Sequence, residues 1–132
     1  MPVSPDVPGG PHLRTIAMPR DANPSGDMFG GWTVSQMDLA GATFAARVAH
    51  GRVATVSIEA MEFLRPIGVG DEVSCYCRLV RRGDTSVTVH IETWACGRAD
   101  QEGEKVTEGT FTFVALDENG KPRALPDAPK GA

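Results

Sequence analysis

The stretch N-P-S-G-D-M-F-G-G-W-T-V-S-Q-M-D-L-A-G-A-T-F-A-A-R-V-A, residues 23–49, decides the fold. It opens on turn formers, Asn23-Pro24 and Gly26-Asp27. A helix then starts near Gly30 or Gly31. Val34, Met37, Gly41, Phe44 or Ala45, and Val48 follow at the 3-4-3-4 spacing of an amphipathic helix. Gly41, Ala42, Ala45 and Ala46 are small, so another element can approach this helix closely. Gly51, just after His50, suits the C-terminal cap. No other stretch reads as a long helix.

Everything after residue 52 reads as strand. Residues 53–63 alternate, with Ala54, Val56, Ile58 and Ala60 on one face and Thr55, Ser57, Glu59 and Met61 on the other. Residues 73–80 and 87–94 alternate likewise, joined through a turn at Arg82-Gly83-Asp84. Residues 97–104 are polar and loop-like. Residues 105–116 form the last strand, with Phe111, Phe113 and Ala115 on one face. Upstream of the helix, residues 12–18 read as a short first strand that Pro19 ends, because proline has no donor for the ladder. Short links between sequential strands mean antiparallel pairing. The expected class is therefore α+β, one curved antiparallel sheet wrapped around one helix. Such a sheet leaves an edge strand uncovered, and a symmetric dimer joining sheets edge to edge would cover it.

The chain has 132 residues, 41% of them apolar and 23% charged, which fits one domain with a real core. Three segments are expected: a disordered segment 1–11, rich in proline and glycine, a single domain 12–117, and a tail 118–132 of turn and linker composition. No window approaches the roughly 18 apolar residues of a membrane span. The N-terminus lacks the basic and apolar regions of a signal peptide, so the cytoplasm is the expected compartment. A net charge of −4 argues against a nucleic-acid partner. Cys75, Cys77 and Cys96 form neither an even disulfide framework nor a zinc spacing, and read as small core residues. His12, His50 and His90 form no cluster, and no metal site is expected.

The chemistry concentrates in the opening stretch. Asp38 has Val34, Ser35, Gly41 and Ala42 at i±3 and i±4, none of them cationic. A carboxylate beside the core stripe without a cation should titrate high, which suits a general base. An ordinary exposed aspartate on the polar side of the helix fits the spacing as well. Asn23 is either a turn opener or an amide that binds a carbonyl. Gly30 and Gly31 either loosen the helix start or let a ligand reach the free N–H groups there, the ingredients of an oxyanion site. No G-x-S-x-G, phosphate-binding or dinucleotide motif is present.

Four segments together carry a family resemblance: N-P-S-G-D-M-F-G-G-W-T-V-S-Q-M-D-L-A-G, R-V-A-T-V-S-I-E-A-M-E-F-L-R-P-I-G-V-G-D, R-R-G-D-T-S-V-T-V and D-E-N-G-K-P-R-A-L-P. Spanning residues 13 to 126, the sequence resembles the hotdog-fold acyl-CoA thioesterases, nearest the bacterial YciA-like branch, related to the cytosolic long-chain acyl-CoA hydrolases of animals. The resemblance implies a hotdog fold, a homodimer with a continuous sheet, often a hexamer of three dimers, and hydrolysis of acyl-CoA to free CoA and a carboxylic acid without a further cofactor. It places the catalytic asparagine on Asn23 and the catalytic acid on Asp38, drawn from different protomers. Asp38 would activate a water or attack directly through an anhydride, with Asn23 and the N–H groups near Gly30 and Gly31 holding the carbonyl oxygen. For CoA, which is anionic, the expected docking surface is Arg82, Thr85 and Ser86, helped by Arg65, Lys121 and Arg123. A hotdog dehydratase would need a histidine in the helix or the turn before it, and none is there. A non-catalytic acyl-CoA-binding protein would need the pocket but not Asp38.

Overall fold

A computed structural model of the chain describes residues 9–128; the disorder expected of residues 1–8, and the end of the tail at 129–132, lie outside the described residues. The elements are β1 (Leu13–Ile16), a short 3-10 turn (Pro19–Asp21), α1 (Gly30–Ala49), β2 (Val53–Phe63), β3 (Glu72–Arg82), β4 (Ser86–Cys96) and β5 (Glu104–Ala115). The strands form one antiparallel sheet in the order β1-β3-β4-β5-β2. The class is α+β, with α1 lying on the inner face of the sheet.

The helical stripe is buried as its spacing requires. Met37, Ala40, Gly41 and Ala45 are buried, and Val34, Phe44 and Val48 pack at the margin. Opposite them, β4 and β5 present Val87, Val89, Ile91, Phe111 and Phe113, all fully buried. Cys75 and Cys77 complete the same cluster from β3. The closest approach is at Gly41. A Cβ there would lie 2.6 Å from Ile91 Cδ1 and 2.8 Å from Phe113 Cζ.

Sequential pairing holds for β3–β4 and β4–β5 but not for β2–β3. β2 pairs instead with β5 at the edge of the sheet. The link after it crosses the end of the sheet, held by Met28 N–H to Ile67 O (2.8 Å) and Val69 N–H to Gly26 O (3.3 Å). That crossing buries Ile67 in a second cluster with Met28, Val73 and Val106.

The simple alternation expected along β2 is also interrupted. Register shifts fall between Thr55 and Ser57 and between Glu59 and Glu62, and Ala60 takes a left-handed backbone (φ 52°). Each shift changes which parity faces inward. Thr55, Ile58 and Phe63 stand opposite Phe113, Phe111 and Thr107 on the inner face, while Ala54, Ser57 and Glu59 face outward. Ile58 therefore shares a face with Thr55, and not with Ala54.

The helix ends at His50, which itself adopts the left-handed conformation (φ 55°) expected of Gly51. Gly51 is needed for space, since a Cβ there would lie 2.7 Å from Arg123 Nη2. Arg123 donates to Ala49 O (2.8 Å) and Leu116 O (3.0 Å), satisfying a helix-end carbonyl. The segment after β5 thus docks on the body. Leu125 packs against the main cluster, and its N–H donates to Asp84 O (2.9 Å).

On the outer face, Glu92 and Glu108 stand directly opposite across β4 and β5. Lys105 bridges them, at 3.6 Å and 2.9 Å, and His90 lies 3.3 Å from Glu108. The hydrogen bond from Lys105 holds the Glu108 carboxyl below its ordinary range. The native state gains from this above the ordinary carboxylate range and loses the gain as pH falls through the folded-state value.

Adding one methyl where α1 meets the sheet should overpack the core. Gly41→Ala is expected to cost about 1–3 kcal/mol, read as a lower denaturant midpoint at unchanged slope.

Candidate active site

Asn23 sits in a loop that its own side chain organises. The loop closes through Asn23 N–H to Asp27 O (2.7 Å) and Gly26 N–H to Asn23 O (3.0 Å). Asn23 Oδ1 accepts from the N–H groups of Ser25 (2.9 Å) and Asp27 (3.1 Å). The turn-opening role and the amide-donor role are therefore compatible. The oxygen is fixed by the loop, and the orientation of the amide leaves Nδ2 with two protons to donate elsewhere.

The loop leads into α1 through Phe29, the N-cap residue, which provides no side-chain cap. The N–H groups of Trp32 (3.1 Å) and Thr33 (3.4 Å) reach Phe29 O, so the unpaired helix donors begin at Gly30 and Gly31. No acid occupies the first turn to compete for them. A side chain on Gly31 would point into open space, whereas a Cβ on Gly30 would sit 3.3 Å from Phe63 Cε1.

Asp38 lies half-buried on the side of α1 that faces β2. It has the partner that its helical neighbours do not supply: Thr55 Oγ1 donates to Asp38 Oδ1 at 2.6 Å. The sequence reading missed Thr55. A helix aspartate without an i±3 or i±4 partner calls for a donor on the facing strand, and Thr55 is the first hydroxyl of β2. That pairing pins one carboxylate oxygen and leaves Oδ2 available as an acceptor.

Asp38 stands well along the helix from the donors at its start. Eight residues separate Gly30 from Asp38, which is about 12 Å of axial rise. The unpaired donors lie at the helix start and the carboxylate in its middle, so the two groups are separate features of one helix.

The expected CoA contacts separate into two groups. Arg82, Thr85 and Ser86 lie on the β3–β4 turn, and the Asp84–Leu125 hydrogen bond brings residues 121–123 beside it. Arg82 donates to Pro126 O, and Arg123 is committed to backbone carbonyls. Lys121 is exposed. Arg65 lies apart from them, in an ion pair with Glu104 at 3.6 Å on the link beyond β2.

Among the described residues, no cluster of His, Cys, Asp or Glu could hold a metal ion, and no helix is long and apolar enough to cross a membrane. The histidines serve three separate places. His12 Nδ1 accepts from Cys77 N–H (3.1 Å), and burial, then the charge of Arg47, lowers its pKa. His50 caps the helix, and His90 belongs to the outer face. All three cysteines are free thiols. Burial pushes Cys75 up to about 11 and Cys77 up to about 12, so neither is a nucleophile at neutral pH.

One helix cradled by a curved antiparallel sheet is the architecture of the hotdog fold. Residues 25–100 match the thioesterase superfamily, and the chain belongs to it. It is 55% identical over 117 residues to the acyl-CoA thioester hydrolase YciA of Escherichia coli (strain K12), covering 86% of this chain and 89% of that protein. The hexameric thioesterase y2039 from Yersinia pestis superposes with a TM-score of 0.86 at 49% identity, covering 92% of this chain and 100% of that one. An acyl-CoA hydrolase from Staphylococcus aureus, solved with butyryl-CoA, CoA and CoA disulfide, superposes with a TM-score of 0.80 at 29% identity, covering 86% and 70%. That enzyme has also been solved as an Asn→Ala and as an Asp→Ala mutant.

The thiols offer a direct check of the core. At pH 8 less than roughly a hundredth of Cys75 and Cys77 ionises. A thiol reagent at pH 8 should therefore modify only Cys96 in the native protein and all three residues in denaturant. Raising the pH toward 11 should expose the other two, because with a folded-state thiol pKa above the unfolded one the native state loses stability as the pH rises past the unfolded value toward the folded one.

Proposed function

We propose that the chain hydrolyses fatty acyl-CoA thioesters to free CoA and a carboxylic acid, with Asp38 as general base and Asn23 supplied by a partner protomer. The observation that carries this reading is the Asp38–Thr55 pair, a half-buried carboxylate held by a 2.6 Å hydrogen bond on the open side of the helix. The relatives support it in two ways. YciA of E. coli is an acyl-CoA thioester hydrolase. In the S. aureus enzyme the mutated asparagine and aspartate have the same separation in sequence as Asn23 and Asp38.

In the proposed mechanism Asp38 Oδ2 takes a proton from a water, and the water oxygen bonds to the thioester carbonyl carbon. The oxyanion that forms is held by Asn23 Nδ2 and the Gly30 and Gly31 N–H groups of the partner protomer, at the positive end of a helix. Collapse breaks the carbon–sulfur bond, and the departing thiolate recovers the proton from Asp38. Thr55 positions the carboxylate throughout. A general base contributes about 10²–10⁴-fold and one oxyanion donor about 10²–10³-fold, enough for an activated thioester.

β2 supplies the dimer edge. Its outer backbone is unpaired at the rim of the sheet, and Val56 and Ile58 are exposed there. A second copy pairing antiparallel through β2 would continue the sheet and bring each Asp38 to the partner's helix start. A trimer of such dimers would match the hexameric Yersinia neighbour. For the CoA phosphates we propose the β3–β4 turn, with Arg82, Thr85 and Ser86, and Lys121 beside it. Arg65 would serve only from the other end of the sheet, and Arg123 chiefly anchors the tail. Three free thiols fit a reducing cytoplasm, and the net charge of −4 fits a small-molecule substrate rather than nucleic acid.

Release of free thiol from acyl-CoA is the test. Asp38→Ala should lower kcat by about 10²–10⁴-fold and Asn23→Ala by about 10²–10³-fold. Equal rates for wild type and Asp38→Ala would leave a binding protein instead. Co-refolded Asn23→Ala and Asp38→Ala protomers should regain activity, since each heterodimer holds one intact site. No recovery, with heterodimers demonstrated, would refute shared sites.

A separate expectation concerns Thr55. Thr55→Val should lower kcat about ten- to a hundredfold with little change in KM, and Thr55→Ser should restore most of it.

A further inference from the structure

The end of β2 has a feature that the mechanism does not use. The left-handed Ala60 and the register shift around it turn Phe63 to the inner face, opposite Thr107. A left-handed backbone at a non-glycine residue inside a strand costs about 1–3 kcal/mol and persists only where the surroundings impose it. Met61, within the shifted segment, anchors the strand, since its Sδ lies 2.8 Å from where a Cβ on Gly109 would be. Phe63 then places its ring edge against the first helical residue, 3.3 Å from where a Gly30 Cβ would be. Yet the ring is not a core residue: it is 55% exposed.

Phe63 and Gly30 border the same cavity, of about 370 Å³. Its other walls are Met28, Leu64, Pro66 and Ile67, the buried hydroxyl residues Thr33 and Thr107, and Arg65, which is paired with Glu104. The lining is more apolar than polar, and Gly30, whose N–H is unpaired, is part of it. A thioester whose oxygen rests on that N–H has two arms. The CoA arm carries amides and phosphates and gains little from the apolar walls, and the guanidinium of Arg65 is already paired with Glu104. The acyl arm is hydrocarbon from its second carbon onward and gains with every methylene buried.

We infer that Phe63 sets the acyl-chain preference of the enzyme, its ring forming the movable wall of an acyl cavity at the start of α1. The inference rests on the thioesterase reading above. The cavity is at the small end of the range for small-molecule sites, so short and medium chains should be favoured over long ones. Each methylene that finds a place in it should raise kcat/KM by up to about fourfold, and the rise should stop where the cavity is full. Phe63 belongs to the protomer that supplies the oxyanion donors, so it acts on the site completed by the partner's Asp38.

The test is kcat/KM for thiol release across saturated acyl-CoAs from four to sixteen carbons, with wild type, Phe63→Ala, Phe63→Leu and Phe63→Trp. Phe63→Ala should move the optimum at least two carbons longer and raise the twelve-carbon to four-carbon ratio about tenfold. Phe63→Leu should fall between, and Phe63→Trp should move the optimum shorter. Both substrates of each ratio are measured on one preparation, so partial loss of folding or assembly cancels. Superimposable profiles, or a uniform loss at every length in all three variants, would overturn the inference and leave the thioesterase reading standing. A wild type that releases thiol from no acyl-CoA would overturn both.

Discussion

The contact on which this structure depends is the seating of α1 against β4 and β5 at Gly41. One helix must cover the inner face of the sheet, and it does so by coming close enough that a single Cβ would collide with both Ile91 and Phe113. Ala40, Ala45 and Ala49 keep the rest of the interface thin, while Met37 fills the space that remains. The large side chains come from the sheet, with Phe111 and Phe113 stacked side by side at a centroid distance of 6.3 Å. Small residues on the helix and large ones on the strands let the sheet curl around the helix. The buried face can then pack closely, as protein interiors do.

The same curl has an end. β2 is an edge strand, and several of its inner-facing side chains are only partly covered. Side chains there lie between core and solvent. Thr55 reaches the helix and holds Asp38, while Ile58 and Phe63 turn inward yet stay 43% and 55% exposed. A general base needs such a position. In the core a carboxylate would lose too much solvation, and on the open surface it would not be held in place. The two shifts in β2 set which side chains occupy this margin, and the left-handed Ala60 is the local cost of that arrangement.

Asn23 and the start of α1 show a different economy. The loop's own N–H groups bind Asn23 Oδ1, so the residue that shapes the loop keeps the two protons of its amide Nδ2 free to donate. Phe29 caps the helix by backbone alone, and the donors of Gly30 and Gly31 remain unpaired. Structure and chemistry use opposite ends of the same groups, so a turn-former and a site residue need not be alternatives at position 23.

What the sequence determined by itself was whatever depends on neighbours along the chain. The 3-4 spacing of Val34, Met37, Gly41 and Val48 places the helix, and the alternation in 87–94 and 105–116 places the central strands. Asp38 stands out because no helical neighbour pairs with it. What only the tertiary structure decided involves residues far apart. The pairing of β2 with β5 reflects a crossing held by residues 26–28, which no local pattern encodes. The first bulge of β2 moved Ile58 to the inner face, because a one-residue slip inverts every side chain after it, and the second restored the original parity, which places Phe63 there too. Thr55 became the partner of Asp38, and Arg123 reached past Gly51 to the helix end, through contacts of 17 and 74 residues' separation. Local spacing determines elements because hydrogen bonding and burial repeat with the backbone period. The partners of a side chain across space depend on how those elements pack.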